Sequence, residues 1–452
     1  GHITQYQYDP RGKLIAVTDP LGRSWQLARN SAGQVTRITD PLGQHTTIHH
    51  DGPDLASITD PLGRTASQYT DAAGRPLKQT SPGGTETLAR YDSLNRLIGM
   101  TDPQGGQISL TYDANGQLTA HTDQNGNTTA YTYNLLGKVA SKTDALAQTE
   151  TYSYEAGGRL SAHTDRKGQV SAVQYDGHGR PIQIDYAGQS RIKLSWDKAD
   201  RLVLIDDSRS GQIRRRYDAF DRLIEEQSPQ GQINYSYDKL GRKASLSVSG
   251  QPTVSYRYDA AGQLTEITQA PGPSNDGQAQ RIRFIYDAAG RRTQTELAGG
   301  IRIHYSYDAA SQLTGIVQQK ADGSELGRIV YTYDRNGKRT GASGSLVSLE
   351  LPSIVSEARF DANNRLTRHN GVNYSYDANG NLVSDGQRTY TWDERNQLKS
   401  IGGVAVANFS YDPFGRRIGK TVAGQSTGYL YDGANFVQEL LGSGAASPVK
   451  AN

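Results

Sequence analysis

The sequence lacks several residue types on which common sites and cores depend. Among its 452 residues there are no cysteines, one methionine and six phenylalanines. Without cysteine, a disulfide framework and any cysteine-based metal site are excluded. No apolar run approaches the roughly 20 residues of a membrane-spanning helix. The start shows no signal-peptide pattern, because Gly1–Gln5 already resembles the internal repeat described below. We therefore expect the chain to be part of a longer polypeptide.

A strong charge of either sign is also missing. The net charge is +3, with 21% charged residues and no block of like charge, which argues against a nucleic-acid surface driven by bulk charge. The cluster Arg214-Arg215-Arg216 is predicted to be a solvated strand face. His49-His50 has no acidic metal box beside it, and no Gly-x-Gly pattern opens a helix after a strand. We predict no metal, cofactor or nucleotide site.

Glycine and tyrosine are abundant instead, at 50 and 27 residues, and the mean hydropathy is −0.68. Such a composition predicts many short strands and turns. It also predicts aromatic rings whose hydroxyls reach water or a hydrogen-bond partner.

One repeated element dominates the chain. It consists of an aromatic residue, Asp, two variable residues, Gly, one further residue and an aliphatic residue, as in Tyr112–Leu118. Successive copies from Tyr91 to Tyr217 start 21 residues apart. We call the turn in this element the YD turn. The residues predicted to build YD turns are Tyr8, Asp9, Gly12, Tyr91, Asp92, Tyr112, Asp113, Gly116, Tyr175, Asp176, Gly179, Tyr217, Asp218, Tyr237, Asp238, Gly241, Tyr258, Asp259, Gly262, Tyr286, Asp287, Gly290, Tyr376, Asp377, Gly380, Tyr411, Asp412 and Gly415.

A second turn lies halfway through each early repeat, and we call it the half-repeat turn. It reads Thr-Asp-Pro-Leu-Gly at residues 18–22, 39–43 and 59–63. In both turns, the Asp carboxylate can accept the backbone N–H two residues on, and Gly can take the left-handed conformation that ends a type I turn with a bulge. Turns every 8–12 residues between alternating segments predict successive antiparallel hairpins. The predicted fold class is therefore all-β, an array of antiparallel β-hairpins from repeats of about 21 residues.

The regularity of the repeats changes along the chain, which is predicted to form a single domain of residues 1–452. Residues 1–265 are regular repeats, 266–359 are interrupted, 360–440 form short tight hairpins, and 441–452 form a frayed tail. A plain loop is predicted at 268–277, and the aliphatic segment 341–357 is predicted to be an extra strand pair or a plug. About 42 strands at ~4.8 Å each make a strip roughly 200 Å long. Because large sheets twist and curl, we expect this strip to form part of a curled wall.

The repeated Asp and Tyr residues admit structural and functional interpretations. We interpret each motif Asp as the cap of its own turn rather than as a catalytic acid. We interpret the motif tyrosines as cross-strand aromatic pairs along the sheet. The alternative for the tyrosines is a set of exposed rows that stack on sugars.

These motifs resemble the Rhs/YD-repeat family. The resemblance rests on serial units such as Tyr286–Arg291 and Tyr411–Arg416, and on the end Tyr429–Asn435. It implies a hollow β-cocoon, which in bacterial Rhs proteins surrounds a C-terminal toxin and is often delivered by a type VI secretion system. Insecticidal toxin-complex proteins and teneurins use a similar shell. The family's aspartyl autoprotease carries an Asp-Pro-x-Gly-Leu segment, but here Asp412–Gly415 is followed by Arg416. No catalytic residue is carried over.

The leading functional hypothesis is therefore a non-enzymatic encapsulation module of a bacterial Rhs toxin. Its implied partners are a C-terminal toxin cargo of the same polypeptide and, through N-terminal parts, a VgrG-type spike or an adaptor chaperone. The protein is expected to be made in the cytoplasm and secreted or delivered into competing cells. A carbohydrate-binding adhesin with exposed tyrosine rows is the alternative. A hydrolase using pairs of Asp residues is a third hypothesis, but no pair stands out in the sequence.

Overall fold

The computed structural model describes residues 2–272, 277–348, 354–404 and 406–442. Within these ranges the regular structure is almost entirely β-strand, and helical structure is limited to 3-10 turns at Ala187–Gln189 and Ala298–Gly300. The predicted all-β fold is confirmed. None of the helical segments in these ranges has the length or the apolar character to cross a membrane.

The chain divides into two compact units, each made of two segments that are distant in sequence. Unit 1 comprises Gly1–Ile108 and Pro252–Leu351, and unit 2 comprises Ser109–Gln251 and Pro352–Asn452.

In unit 1 the strands of the first segment are β1 (Gln5–Tyr8), β2 (Leu14–Thr18), β3 (Ser24–Arg29), β4 (Val35–Thr39), β5 (His45–Asp51), β6 (Asp54–Thr59), β7 (Thr65–Thr70), β8 (Pro76–Thr80), β9 (Glu86–Tyr91) and β10 (Leu97–Thr101). Those of the second segment are β25 (Val254–Tyr258), β26 (Leu264–Gln269), β27 (Gln280–Tyr286), β28 (Arg292–Glu296), β29 (Arg302–Tyr307), β30 (Leu313–Gln319), β31 (Glu325–Tyr333) and β32 (Arg339–Ser343).

In unit 2 the strands of the first segment are β11 (Gln107–Tyr112), which starts at the unit boundary, β12 (Leu118–Thr122), β13 (Thr128–Tyr133), β14 (Val139–Thr143), β15 (Thr149–Tyr154), β16 (Leu160–Thr164), β17 (Val170–Tyr175), β18 (Pro181–Tyr186), β19 (Arg191–Trp196), β20 (Leu202–Asp207), β21 (Gly211–Tyr217), β22 (Leu223–Ser228), β23 (Gly231–Tyr237) and β24 (Lys243–Val248). Those of the second segment are β33 (Ala358–Phe360), β34 (Leu366–His369), β35 (Val372–Asn373), β36 (Ser375–Tyr376), β37 (Leu382–Ser384), β38 (Arg388–Trp392), β39 (Leu398–Gly403), β40 (Ala407–Tyr411), β41 (Arg417–Val422), β42 (Gln425–Asp432) and β43 (Asn435–Leu441).

Successive strands pair antiparallel, and the two turn types leave different registers. Across the YD turn between β13 and β14, Thr132 pairs with Ser141 and Tyr133 pairs with Val139, so the register shifts at the motif tyrosine. Across the half-repeat turn between β14 and β15, the pairing runs without a shift from Ser141 to Thr143. A bulge at every YD turn increases the local twist, which favours a curved sheet over a flat one.

The apolar core is small and concentrated in part of unit 2. Ile192, Ile205 and Ile213 form a buried cluster on β19, β20 and β21. Elsewhere, strands that precede a YD turn, such as β13, alternate between exposed and partly buried residues. Strands that follow one, such as β14, are partly buried along their whole length.

The predicted interruptions fall partly outside the described residues. Thr268 and Gln269 end β26, and residues 273–276 of the predicted loop lie outside the described ranges. In the predicted aliphatic insertion, 341–343 belong to β32, the described residues 344–348 and 354–357 hold no strand, and 349–353 lie outside. Of the predicted tail, Leu441 ends β43 and residues 443–452 lie outside. The predicted single domain with boundaries at 265, 359 and 440 stays a prediction.

Candidate functional site

The YD turn is built by one side chain and one glycine. In the turn of Asp113, Oδ1 of that residue accepts the backbone N–H groups of Asn115 at 2.9 Å and Gln117 at 2.8 Å. The Gly116 N–H donates to the Asp113 carbonyl at 3.1 Å, and Gly116 has φ +82°, the left-handed region that glycine tolerates best. The carboxylate therefore holds two backbone donors that the turn would otherwise leave without a partner.

The structure places all the predicted Asp and Gly residues in this arrangement. In every predicted YD turn the motif Asp accepts the backbone N–H of the residue four positions on, namely in the turns of Asp9, Asp92, Asp113, Asp176, Asp218, Asp238, Asp259, Asp287, Asp377 and Asp412. The motif glycines all have φ between +75° and +89°, namely Gly12, Gly116, Gly179, Gly241, Gly262, Gly290, Gly380 and Gly415.

The motif tyrosines lie at the bulge, each paired with the residue six positions on; this holds for Tyr8, Tyr91, Tyr112, Tyr175, Tyr217, Tyr237, Tyr258, Tyr286, Tyr376 and Tyr411. Many of their hydroxyls donate to a backbone carbonyl of the preceding hairpin. Tyr175, for example, donates to Leu160 at 2.9 Å and Tyr237 donates to Leu223 at 2.7 Å. Each such bond ties one repeat to the repeat before it.

The predicted pairing of tyrosine with tyrosine is wrong for motif rings such as Tyr217 and Tyr307, because an arginine side chain lies over each ring. The Cζ atom of Arg201 is 5.3 Å from the centre of the Tyr217 ring, and that of Arg291 is 4.7 Å from the Tyr307 ring. The physical reason is spacing: equivalent tyrosines sit two strands apart, or about 10 Å, so a long cationic side chain fills the gap between them.

The same arginine also holds its own turn and the next one, a role that the sequence interpretation missed. Arg201 pairs with Asp197 at 2.7 Å and donates to the Asp218 carbonyl of the following YD turn at 3.0 Å. Glutamine replaces it in other repeats, where Gln117 donates to the Gly137 carbonyl at 3.0 Å. The available signal was the recurrence of Arg or Gln directly after the motif glycine.

Such pairs favour the ionised form of two motif carboxylates, Asp176 and Asp218. The backbone N–H and guanidinium of Arg180 outweigh desolvation and lower the pKa of Asp176 to about 2. The side chain of Arg222 likewise lowers the pKa of Asp218. A carboxylate held as an anion by its own turn is poorly suited to donate or accept protons near neutral pH. Among the residues that the structure describes, no group of three or more His, Asp or Glu side chains is arranged to hold a metal.

Within each unit, half-repeat turns of the first segment meet YD turns of the second segment, and we call this line of contact the seam. In unit 1, Arg23 donates to Gln263 and Arg64 donates to Gln312, both at 2.6 Å. The amide oxygen of Asn336 accepts the backbone N–H of Gly83 at 2.7 Å. The seam is therefore polar and joins residues 240–253 positions apart.

The seam of unit 2 follows the same rule. Asn363 donates to Asp144 at 2.7 Å, and Asn379 donates to Asp165 at 2.6 Å. In each case the donor is the second residue after the Asp of a YD turn, and the acceptor is the Asp of a half-repeat turn. In these two contacts a variable position of the repeat meets the neighbouring segment, whereas Gln263 and Gln312 of unit 1 lie at the Arg or Gln position.

The seam of unit 2 includes one buried ion pair. Arg395 donates to both carboxylate oxygens of Asp207, at 2.6 and 3.0 Å, and the two side chains are 5% and 0% exposed. Ser190 accepts from Nε of Arg395 at 2.8 Å, and Ser210 donates to Asp207 at 2.6 Å. The guanidinium also lies 4.8 Å from the ring centre of Tyr186. We call this group the Arg395 clamp; the sequence holds no signal that pairs residues 188 positions apart.

A polar cavity of about 310 Å³ lies beside the clamp, with Glu150, His163 and Arg166 in its wall. Glu150 contacts Lys142 at 3.2 Å and His163 at 3.3 Å, and Arg166 contacts Asp144 at 3.1 Å. The charges of Glu150 and Arg166 in this part of the wall are therefore paired with neighbouring side chains.

Comparison with known families gives two matches that together span nearly the whole chain. The Teneurin YD-shell family matches residues 164–279 and 273–435. The RHS Repeat family matches residues 1–47, 49–87, 71–107, 91–128, 112–149 and 133–170.

Curated relatives share short stretches with the chain. The tRNA nuclease WapA of Bacillus subtilis (strain 168) is 40% identical over 109 residues, which are 23% of this chain and 4% of WapA. The probable deoxyribonuclease RhsB of Dickeya dadantii (strain 3937) is 37% identical over 87 residues, 16% of this chain and 6% of RhsB. The chain therefore matches only a small part of each relative's length.

Among solved structures, the crystal structure of TcdB2-TccC3 has the same fold. It superposes with a TM-score of 0.71 at 15% identity, over 97% of this chain and 31% of that chain. The resemblance inferred from the Tyr-Asp units is confirmed, and the chain belongs to the Rhs/YD-repeat family.

Proposed function

We propose that residues 1–452 form part of the wall of a hollow shell that sequesters a toxin domain of the same polypeptide. The observation that carries the proposal is the match in fold to TcdB2-TccC3 over 97% of the chain. Membership of a shell-forming repeat family supports it. Bulges at the YD turns favour curvature, and polar seams join two segments within each unit, and both features suit a wall.

We further propose that this stretch of wall is not itself catalytic. The tRNA nuclease WapA and the probable deoxyribonuclease RhsB carry different activities in their names, yet both share the repeat with this chain. An activity that changes while the repeat stays the same is best placed outside the repeat. The motif carboxylates, which are held by their own turns, agree with this proposal.

Protease protection of the cargo tests the proposal. The complete natural polypeptide is treated with protease while folded, and the survival of the segment after the last YD repeat is followed by mass spectrometry. We expect that segment to resist digestion in the folded protein and to be digested once the shell is unfolded in urea. Equal digestion in both states would contradict sequestration, and a matched polypeptide without residues 1–452 serves as the unprotected control.

The proposal also covers where the protein is made and how it is delivered. We propose synthesis in the bacterial cytoplasm and delivery into competing cells, by a type VI system with a VgrG-type spike or an adaptor chaperone bound to N-terminal parts. A co-culture assay tests it: deletion of the gene should remove the growth advantage over a sensitive neighbour. An unchanged advantage would contradict delivery.

The adhesin alternative requires exposed tyrosine rows. Tyr6, Tyr8 and Tyr69 in unit 1 are exposed, whereas motif rings such as Tyr217 lie under arginine. A glycan array decides between the two functions, because the shell proposal expects no binding that is lost on substitution of these three residues by alanine.

A further inference from the structure

Two neighbouring repeats of unit 2, with turns at Asp393 and Asp412, differ from the repeats described above in how they are joined. In those repeats the motif tyrosine donates to the preceding repeat, and the glutamine after the turn donates to the next one. Here Tyr411 and Gln397 hold these two positions, and neither side chain makes a hydrogen bond within the described residues. A hydroxyl and an amide are therefore left for another partner.

Both side chains lie in the wall of a cavity of about 480 Å³. That volume falls in the range of ~300–1,000 Å³ that is typical of small-molecule sites. Pro229 and Gln230 of the first segment form one part of the wall, and Lys399 and Phe409 of the second segment form another. The cavity therefore spans the seam of unit 2.

Gln230 places an unsatisfied polar group in this wall. The residue is 7% exposed, and its side-chain amide makes no hydrogen bond within the part of the chain that the structure describes. A buried amide without a partner lowers stability, so native proteins rarely leave one. Amides and hydroxyls can both donate and accept, as the hydroxyls of a sugar also do. The amides of Gln230 and Gln397 and the hydroxyl of Tyr411 therefore suit a ligand that is rich in hydroxyl groups.

The charge of the wall adds a second requirement. Asp393 accepts two backbone N–H groups of its own turn, both at 2.9 Å, and it pairs with Arg209 at 2.7 Å. Lys399 forms no ion pair with any residue in the described ranges. Among its described residues, the wall thus keeps one positive charge without a counter-charge, which favours a ligand with one negative charge.

We propose that this cavity binds a monosaccharide that carries one acidic group, such as a hexuronic acid. The carboxylate contacts the Lys399 ammonium, the sugar hydroxyls pair with the three neutral groups, and the C–H face of the ring packs on Phe409. An amino acid fits less well, because its ammonium needs a free carboxylate and Asp393 is engaged. A fatty acid leaves the amides without partners. The site does not depend on the shell function. Because the ligand contacts both segments, its binding stabilises the seam.

Isothermal titration calorimetry on the complete natural polypeptide tests the proposal. The probes are glucuronate and galacturonate as acidic sugars, glucose as a neutral sugar, and acetate and inorganic phosphate as anions without a sugar ring. We expect saturable binding of at least one hexuronate at one site per chain. We also expect its affinity to be at least tenfold higher than that of glucose, with no saturable binding of acetate or phosphate.

Matched variants test whether the sugar lies in this cavity. Tyr411→Phe should weaken binding about tenfold, the value of one or two hydrogen bonds, and should leave the midpoint of thermal unfolding without ligand unchanged. Tyr133→Phe should show the reverse pattern, because its hydroxyl donates to a backbone carbonyl at 2.7 Å. Lys399→Met should remove the preference for hexuronate over glucose, whereas Lys198→Met, at the exposed tip of another YD turn of unit 2, should preserve it.

Gln230→Leu tests the buried amide itself. We expect it to weaken hexuronate binding at least tenfold without lowering the midpoint of thermal unfolding, because the amide has no hydrogen bond to lose within the described structure.

The proposal would be overturned by any of four results. The first is no saturable binding of either hexuronate. The second is binding of acetate or phosphate as tight as that of the hexuronates, which would identify a general anion site. The third is binding of glucose as tight as that of glucuronate and galacturonate, which would remove the role of Lys399. The fourth is unchanged hexuronate affinity in both Tyr411→Phe and Lys399→Met, which would place the sugar elsewhere.

Discussion

Replacing the arginine of the Arg395 clamp is expected to destabilise the seam of unit 2 more than any surface substitution. Arg395→Met removes the guanidinium but keeps an apolar stem against Tyr186. It leaves Asp207, whose side chain is 0% exposed, without the donors now at 2.6 and 3.0 Å. Breaking a buried ion pair by removing one partner costs about 3–5 kcal/mol, because the other charge stays buried without compensation. Ser210 still donates to Asp207, which places the expected loss near the lower end of that range.

Hydrogen exchange is the appropriate assay, because a long repeat sheet need not unfold in one step. The free energy of opening is measured for backbone amides of β20 and of the turn at residues 393–396. The matched control is Arg216→Met, in which a pair with Glu225 at 3.3 Å is lost from a side chain that is 69% exposed. Surface pairs contribute roughly 0–1 kcal/mol. If Arg395→Met cost no more than Arg216→Met, the clamp would not hold the seam.

A double-mutant cycle with Asp207→Asn separates the pair from its surroundings. Either single substitution leaves one charge buried, whereas the double variant Arg395→Met/Asp207→Asn leaves none. We therefore expect the double variant to be more stable than the Arg395→Met single variant, with a coupling of about 0.5–3 kcal/mol. Additive losses would show that the two side chains do not interact.

The contribution of the Arg395 clamp to stability is expected to decrease at low pH. Burial alone would raise the pKa of Asp207, but the hydrogen bonds from Arg395 and Ser210 outweigh it and lower the pKa. The folded-state pKa then lies below the unfolded value of about 3.9. Stability from this group is present above that value and is lost as the pH falls through the folded pKa. In Arg395→Met, fewer hydrogen bonds oppose the effect of burial, so the pKa of Asp207 should be higher than in the wild type. The stability deficit of the variant against wild type should therefore shrink as the pH is lowered below about 4.

Three further predictions concern the repeat itself. Gly116→Ala should cost about 1–2 kcal/mol, because φ is +82° and no atom would crowd the new Cβ; Gly177→Ala, in open space without a positive φ, should cost much less in the same urea titration. The carboxyl carbon of Asp176 should titrate by NMR with a midpoint of about 2, and Arg180→Gln should raise that midpoint; an unchanged midpoint would exclude the ion pair as a cause. Tyr133→Phe should lose about 0.5–1.5 kcal/mol, the net value of one hydrogen bond, since its hydroxyl donates to a carbonyl at 2.7 Å, and an equally stable variant would contradict that role.

The sequence predicts the local structure well because each repeat determines its own turns. Asp113 and Gly116 fix a turn within five residues, and the alternating segments that flank it form strands. The all-β hairpin array follows from these local rules. The predicted aromatic pairing is wrong because of distance: a period of 21 residues places equivalent rings two strands apart, and the cation that fills the gap comes from a position treated as variable.

The seam could not be predicted, since its partners are 188–253 residues apart and no local rule relates them. Arg395 and Asp207 look like ordinary turn residues in their own repeats. Their pairing depends on how many residues separate the two segments of a unit, and that number is changed by every irregular repeat between them.

The positions of the repeat motif have different structural roles, which follow from these contacts. The Asp and the left-handed residue form the turn, the hydroxyl of the aromatic residue contacts the preceding repeat, and the Arg or Gln contacts the next one. Of the two residues between Asp and Gly, the second one points to the neighbouring segment in several seam contacts, as Asn336, Asn363, Asn379, Arg395 and Phe414 do. A whole repeat moved to another place in the array should therefore still form its hairpin, but it should carry the wrong side chain to the seam. The repeat sequence therefore determines strand formation, whereas seam formation also depends on where in the chain the repeat lies.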